Sequence, residues 1–200
     1  MARYNKTNRN TNKSICKYKK SKKYKQNKNT KQRGSGLPTN QPNQPNQIFS
    51  ITYGSMKIKH LQEFATNTLL LQKPIVTINL NSQNLVKQPN QEYVVIMTDP
   101  DAPNGENNSG NHVYTHWIFI YPTIESILEY APPKPPYGKH RYQFNVYAMD
   151  QIAITDIRNI VQNPQNNRSI YYKQMENIIQ NSKKINSTPF IFKVSSDTNK

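Results

Sequence analysis

Apolar residues follow two regimes along this chain. From residue 48 onward, short runs of β-branched, aromatic and aliphatic residues recur between clusters of Pro, Asn, Asp and Gly; before it almost nothing apolar repeats. Phe49 to Gly54 (FSITYG) alternates and stops at a glycine, the pattern of a half-buried strand with its turn. Leu69 to Leu71 and Ile75 to Leu80 are short apolar runs interrupted by Pro74, and Leu85 leads to a turn over Gln88 to Asn90. Tyr93 to Met97, Thr115 to Tyr121 and Gln143 to Met149 then read as three strands separated by long loops. Asn104 to Asn111, almost free of apolar atoms, is expected as a surface loop. Thr123 to Tyr130 (TIESILEY) is expected to form one or two helical turns, and Ile152 to Ile160 is ambiguous between periods. Ser169 reads as an N-cap for a helix carrying Ile170, Tyr171, Met175, Ile178, Ile179 and Ile185. Phe190 to Val194 supplies a last strand. With no alternation of strand and helix, the expectation is a mostly β, antiparallel, sandwich-like domain with a few peripheral helices, including a C-terminal one.

Charge sharpens the boundary at residue 48. Of 27 Lys and Arg residues, 13 lie between Met1 and Arg33, a stretch without Asp or Glu; the remaining 14 face all 11 acidic residues. The high pI therefore belongs to the N-terminal segment. Residues 1 to 47, rich in Asn, Lys and Gln and ending in QPN repeats, have too little to bury and are expected to form a disordered basic tail and linker. Residues 48 to 200 are expected to be the folded domain. The tail is either a solvated arm or a contact for nucleic acid or an anionic membrane surface; Tyr4, Tyr18 and Tyr24 are placed where they could stack on bases. No apolar run is long enough to span a bilayer and the N-terminus lacks a signal-peptide core, so a cytoplasmic protein is expected. The lone Cys16 lies in the tail, and an intrachain disulfide is impossible. His60, His112, His116 and His140 are dispersed. Only His112 and His116 share a strand face by spacing, and neither a metal nor another cofactor is expected.

The polar residues with chemistry gather at the strand ends: Asp99, Asp101, His116, His140, Arg141 and Tyr142. If those ends converge, they share one mouth. Pro100 and Pro103 remove backbone donors and stiffen the loop that carries Asp99 out of its strand. Imidazoles donate in either charge state near neutral pH, a phenol adds a donor, and turn amides can complete an anion nest, a set that suits phosphate or another oxyanion. Asp99 can hold a histidine in its donating form, receive an ammonium group, or cap backbone amides. Asp101 with Arg141 reads as a structural ion pair bracing two loops. Trp117 alternates with His116 and is expected in the core, and Tyr142 suits either the mouth or the core. No Cys lies in the domain and no Ser within these motifs, so no nucleophile stands beside a base, and catalysis is not expected.

Three of these segments together resemble the phosphatidylethanolamine-binding protein family, which includes Raf kinase inhibitor proteins and plant flowering regulators. The resemblance rests on DPDAP at Asp99 to Pro103, on His116 and Trp117 within YTHW, and on HRY at His140 to Tyr142, in the family's order. PKPP at Pro133 to Pro136 followed by HRY and VYAMD is similar to the bacterial branch, YTHW to the plant branch. The resemblance implies a β-sandwich-like domain in which Asp99, His116, His140 and Tyr142 line a small anion pocket with Tyr114 at its entrance. It also implies a phosphate-bearing headgroup or phosphorylated side chain as ligand, and modulation of a kinase or protease. The chain departs from the family where glycines commonly precede the Pro-rich turn: here stand Tyr130, Ala131 and Pro132. Ala131 keeps an amide for the anion and Pro132 has none, so a narrowed nest is expected.

Overall fold

The computed structural model describes residues 48–66, 68–80, 88–103 and 112–196, all within one compact unit, Gln41–Lys200. The expected basic tail with Cys16, Leu85 and most of the loop after DPDAP lie outside the described residues.

Two sheets pack face to face. The smaller has the order β2-β1-β4, from β1 (Phe49–Tyr53), β2 (Met56–Ile58) and β4 (Ile75–Ile78). The β1–β2 hairpin turns through Gly54, whose φ of 56° is left-handed and costs a glycine little. The larger sheet runs β3-β10-β8-β5-β6-β7, from β3 (Glu63–Ala65), β5 (Gln91–Asp99), β6 (Tyr114–Tyr121), β7 (Glu125–Leu128), β8 (Lys139–Asp150) and β10 (Phe190–Ser195), with β9 (Lys183–Lys184) on the flank of β8. All pairings are antiparallel except β3 with β10. The mostly β, sandwich-like architecture inferred from the sequence is therefore the observed one. Strands β1 and β10 alternate buried and half-buried residues, whereas β5 and β6 are buried almost continuously. The difference has a cause: one face of the large sheet meets the small sheet, and the other meets helices α1 (Gln151–Gln162) and α2 (Tyr171–Asn181). The first core collects Ile51, Tyr53, Val95, Met97, Trp117, Phe144 and Phe192; the second collects Ile96, Ile118, Ile154, Ile157 and Met175.

Three local expectations need correction, and one segment left open is settled. TIESILEY is not helical: Ile124 takes φ 58°, its amide closes a turn on the Ile120 carbonyl at 2.8 Å, and Glu125–Leu128 then pairs with β6 as an edge strand. The ambiguous Ile152 to Ile160 segment is α1, with Ile154 and Ile157 inward, and it follows β8 without a loop because the Asp150 side chain accepts the Ala153 amide at 2.8 Å. Ser169 does not cap α2; Ile170 holds that position without a side-chain bond, and Asn167 shapes the turn by accepting the Ser169 amide on Oδ1. Ile185 lies beyond the helix, which ends at Asn181 and is followed by β9 and β10; its amide donates to the Val146 carbonyl and its side chain is buried in the first core.

Candidate functional site

Asp99 ends β5, Tyr114 opens β6 and His140 lies at the start of β8, so adjacent strands of one sheet deliver all three to the same edge. The DPDAP loop turns on Asp99 itself: its Oδ1 accepts the Asp101 amide at 2.8 Å across Pro100, an Asx turn needing no glycine. Its Oδ2 lies 2.6 Å from His140 Nδ1, with both side chains almost fully buried. Two of the three functions expected of this carboxylate, amide capping and holding a histidine, are thus performed at once. Since a carboxylate accepts, His140 Nδ1 carries a proton. Burial pushes the His140 pKa down, but the hydrogen bond and charge of Asp99 outweigh it, with smaller help from the Tyr137 backbone and Asp101, and the net direction is up. The far nitrogen, Nε2, is buried and has no hydrogen-bond partner among the described residues.

His116 occupies a β-bulge. Met97 pairs with Trp117 and Thr98 with Thr115, which leaves His116 as the extra residue of β6. Simple alternation therefore fails here: Trp117 is in the core as expected, yet His116 also reaches that side, its ring 5.0 Å from Tyr142 and 4.7 Å from Tyr114. His116 Nδ1 lies 2.8 Å from the Ala131 carbonyl, so Nδ1 donates and Nε2 remains as an acceptor. Burial depresses the pKa of this ring to about 4, with the Ala131 carbonyl and Asp99 opposing and Arg168 and His140 reinforcing the shift. His112, exposed and ahead of β6, shares no strand face with His116.

Tyr142 belongs to both mouth and core. It is 1% exposed, stacks on Phe192 at 5.4 Å, and meets His116 edge-on. Burial, with Asp99 nearby, drives its phenol pKa up, so it stays protonated. Asp101 and Arg141 form the expected brace: Arg141 Nε and Nη2 donate to the two oxygens of Asp101 at 2.8 and 2.7 Å, and the Arg141 amide donates to Oδ2. Pro100 is half-buried and Pro103 exposed, flanking that brace.

Ala131 differs from expectation. Its amide, expected to serve the anion, donates to the His116 carbonyl at 2.8 Å while its own carbonyl holds the His116 ring. Ala131 clamps the bulge and has no amide left for a nest. Arg168, in the turn before α2, was not legible in the sequence: nothing in NNRS marks it. It donates to the carbonyls of Thr115, His116 and Glu129, and its own carbonyl accepts the Thr115 amide. A separate cavity of about 360 Å³ lies at the opposite end of β8, beside Asp150, Ile152, Asp156 and Ile178, and includes none of these groups. Among the described residues no cluster of three His, Cys, Asp or Glu could hold a metal, and no helix is long and apolar enough to cross a membrane.

Fold and site together define a two-sheet β-protein with Asp99, His116, His140 and Tyr142 gathered at one end of its large sheet. The family model for phosphatidylethanolamine-binding proteins matches residues 54–121, which contain DPDAP and the His116 bulge. Among curated relatives it is 33% identical over 110 residues to the protein BROTHER of FT and TFL 1 of Arabidopsis thaliana, covering 52% of this chain and 58% of that one. It is 31% identical over 81 residues to a UPF0098 protein of Chlamydia trachomatis, covering 31% and 53%. The chain thus spans about half the length of these curated relatives. Its fold is similar to that of a phosphatidylethanolamine-binding protein from Plasmodium vivax, with TM-score 0.57, 14% identity and coverage of 74% and 85%. It is also similar to a carboxypeptidase Y inhibitor solved in complex with its cognate proteinase, with TM-score 0.52, 19% identity and coverage of 75% and 83%.

Proposed function

We propose that this chain is a binding protein, not an enzyme, whose mouth takes a small oxyanion: the phosphate of a headgroup or of a phosphorylated side chain. One observation carries the reading. His140 Nε2 is buried and unpartnered among the described residues, on a ring that the hydrogen bond and charge of Asp99 favour in its doubly protonated form, in which Nε2 is a donor. A buried donor without an acceptor costs free energy, and an anion seated against it recovers that cost with a charge-assisted bond. Tyr142 and His116 form the wall beside it, and Tyr114 stands at the edge. Ligand occupancy coupled to a protein partner, a kinase or protease, is the signalling role we assign; the support for it is that one structural neighbour is a carboxypeptidase Y inhibitor complexed with its cognate proteinase.

Calorimetric titration of inorganic phosphate and of phosphoethanolamine into the full chain tests this, alongside His140→Ala. Saturable binding that the substitution removes is expected. Equal binding by both forms would move the ligand away from the mouth. The basic segment supports a second reading, in which Met1 to Arg33 contacts nucleic acid or an anionic surface. That binding would weaken steeply with salt and survive His140→Ala, which separates the two.

A further inference from the structure

The two histidines of the mouth are tethered by opposite partners. His140 presents a proton to a carboxylate, whereas His116 presents one to a carbonyl that carries no full charge to stabilise an imidazolium. The carbonyl side is rigidly built. Arg168 Nη1 donates to the Thr115 and His116 carbonyls at 3.1 and 2.8 Å, and Nη2 donates to the Glu129 carbonyl at 2.7 Å. The Thr115 amide returns a bond to the Arg168 carbonyl at 2.8 Å. One guanidinium thereby fastens the bulge that carries His116 to the segment that carries Ala131. The planar fork reaches three carbonyls because its donors diverge; a lysine could not. No carboxylate pairs with Arg168 among the described residues, so its positive charge stands undiluted behind His116. The charged and titratable groups acting on that ring are the cation Arg168, His140, whose pKa is raised, and Asp99, whose carboxylate is already bonded to His140 and to the Asp101 amide; Tyr114 and Tyr142 flank it as rings.

We propose that Arg168 is a positioning residue for the mouth. By fastening the Thr115, His116 and Glu129 carbonyls it holds the His116 ring with Nδ1 donating and Nε2 accepting, so that the mouth selects an oxyanion still bearing a hydroxyl, a hydrogen phosphate or phosphomonoester, over one bearing none. This deepens the oxyanion reading above and rests on it. A phosphate monoester in its monoanionic form offers a bare oxygen to His140 Nε2 and a P–OH to His116 Nε2. Sulfate or a phosphodiester offers only acceptors, and an acceptor facing His116 Nε2 leaves two lone pairs opposed. Among natural sources this favours a phosphorylated side chain or free phosphate over a diester headgroup.

The test titrates the full chain with inorganic phosphate, methyl phosphate, dimethyl phosphate and sulfate at slightly acid pH, and reads the His116 imidazole nitrogens by NMR. Phosphate and methyl phosphate are expected to bind about tenfold or more tightly than dimethyl phosphate and sulfate. His116 Nε2 is expected to read as unprotonated in the free protein. In Arg168→Gln the His116 titration is expected to move up and the preference to shrink severalfold; Arg168→Lys, which restores the charge without the three bonds, is expected to recover the titration but not the preference. Equal affinity for all four anions, or a protonated Nε2 in the free wild-type protein, overturns the inference while leaving the oxyanion site standing. An unchanged preference and an unchanged His116 titration in Arg168→Gln overturn the role of Arg168. Absence of binding by any anion would sink the oxyanion reading itself. If Arg168→Gln does not fold, the wild-type anion series and nitrogen spectra still decide.

Discussion

His140 and His116 lie in one mouth and titrate in opposite directions, and the stability of the domain inherits both. The folded-state pKa of His140 is raised above its usual value near 6.5, so the Asp99 pair contributes fully below that value and its contribution is lost as pH rises through the raised pKa. His116 runs the other way. Its folded pKa of about 4 means that protonation favours the unfolded chain as pH falls from about 6.5 towards 4, costing about 3 kcal/mol by the lower end. Denaturant unfolding measured across this range is expected to show weakening on both sides of a maximum. In Asp99→Asn the alkaline loss should vanish together with the stability it reported, and persistence of that slope would mean another group carries it. Arg141 belongs to the same scale. Its bidentate bond satisfies a carboxylate that is itself fully buried, so Arg141→Met is expected to destabilise by about 3 kcal/mol, the cost of stranding the charge. A change below about 1 kcal/mol would mean water reaches Asp101.

At the scale of elements, β8 is the spine of the large sheet. Its first half pairs with β10 and its last residues with β9, and between them the ladder on that flank changes partner. Asn186 fills the gap: its Oδ1 accepts the Val146 amide at 2.8 Å and its Nδ2 donates to the Thr188 carbonyl at 2.8 Å, with both groups buried. Asn186→Ala is expected to cost about 2 kcal/mol and to release the Val146 amide to rapid hydrogen exchange. Retained protection would mean that Ile185, bonded to the Val146 carbonyl, suffices. The β6 bulge is the other element-scale device. It breaks the alternation that a strand pattern assumes, and so brings His116 to Tyr142 while Trp117 stays in the core.

For the whole molecule, charge and fold separate along the chain. Nearly half of the basic residues precede residue 34, whereas the mouth and both cores are built from residues after 47. A chain lacking residues 1 to 46 is therefore expected to unfold cooperatively at a similar midpoint and to keep its phosphate affinity within about twofold, since counter-ion release scales with contacts made and the mouth makes few. A large fall in phosphate affinity on deletion would assign the ligand to the basic segment.

The sequence by itself determined strands β1, β5, β6, β8 and β10, the boundary in charge, and the roster Asp99, Asp101, His116, His140, Arg141 and Tyr142. Apolar periodicity, turn residues and short motifs are local signals, and local signals survive in one dimension. It left β7 looking helical, because TIESILEY has good helical composition and only pairing with β6 makes it a strand. It also left β3 unseen, since three residues beside β10 have no pattern of their own. Only the tertiary structure decided that the Ala131 amide is spent on His116, that Asn186 bridges a ladder, and that Arg168 reaches across from the turn before α2 to hold the bulge. Each of these is a side chain or amide meeting a backbone group roughly 15 to 50 residues away. Backbone carbonyls and amides are the same at every position, so no residue type in the sequence marks where such a bond will land.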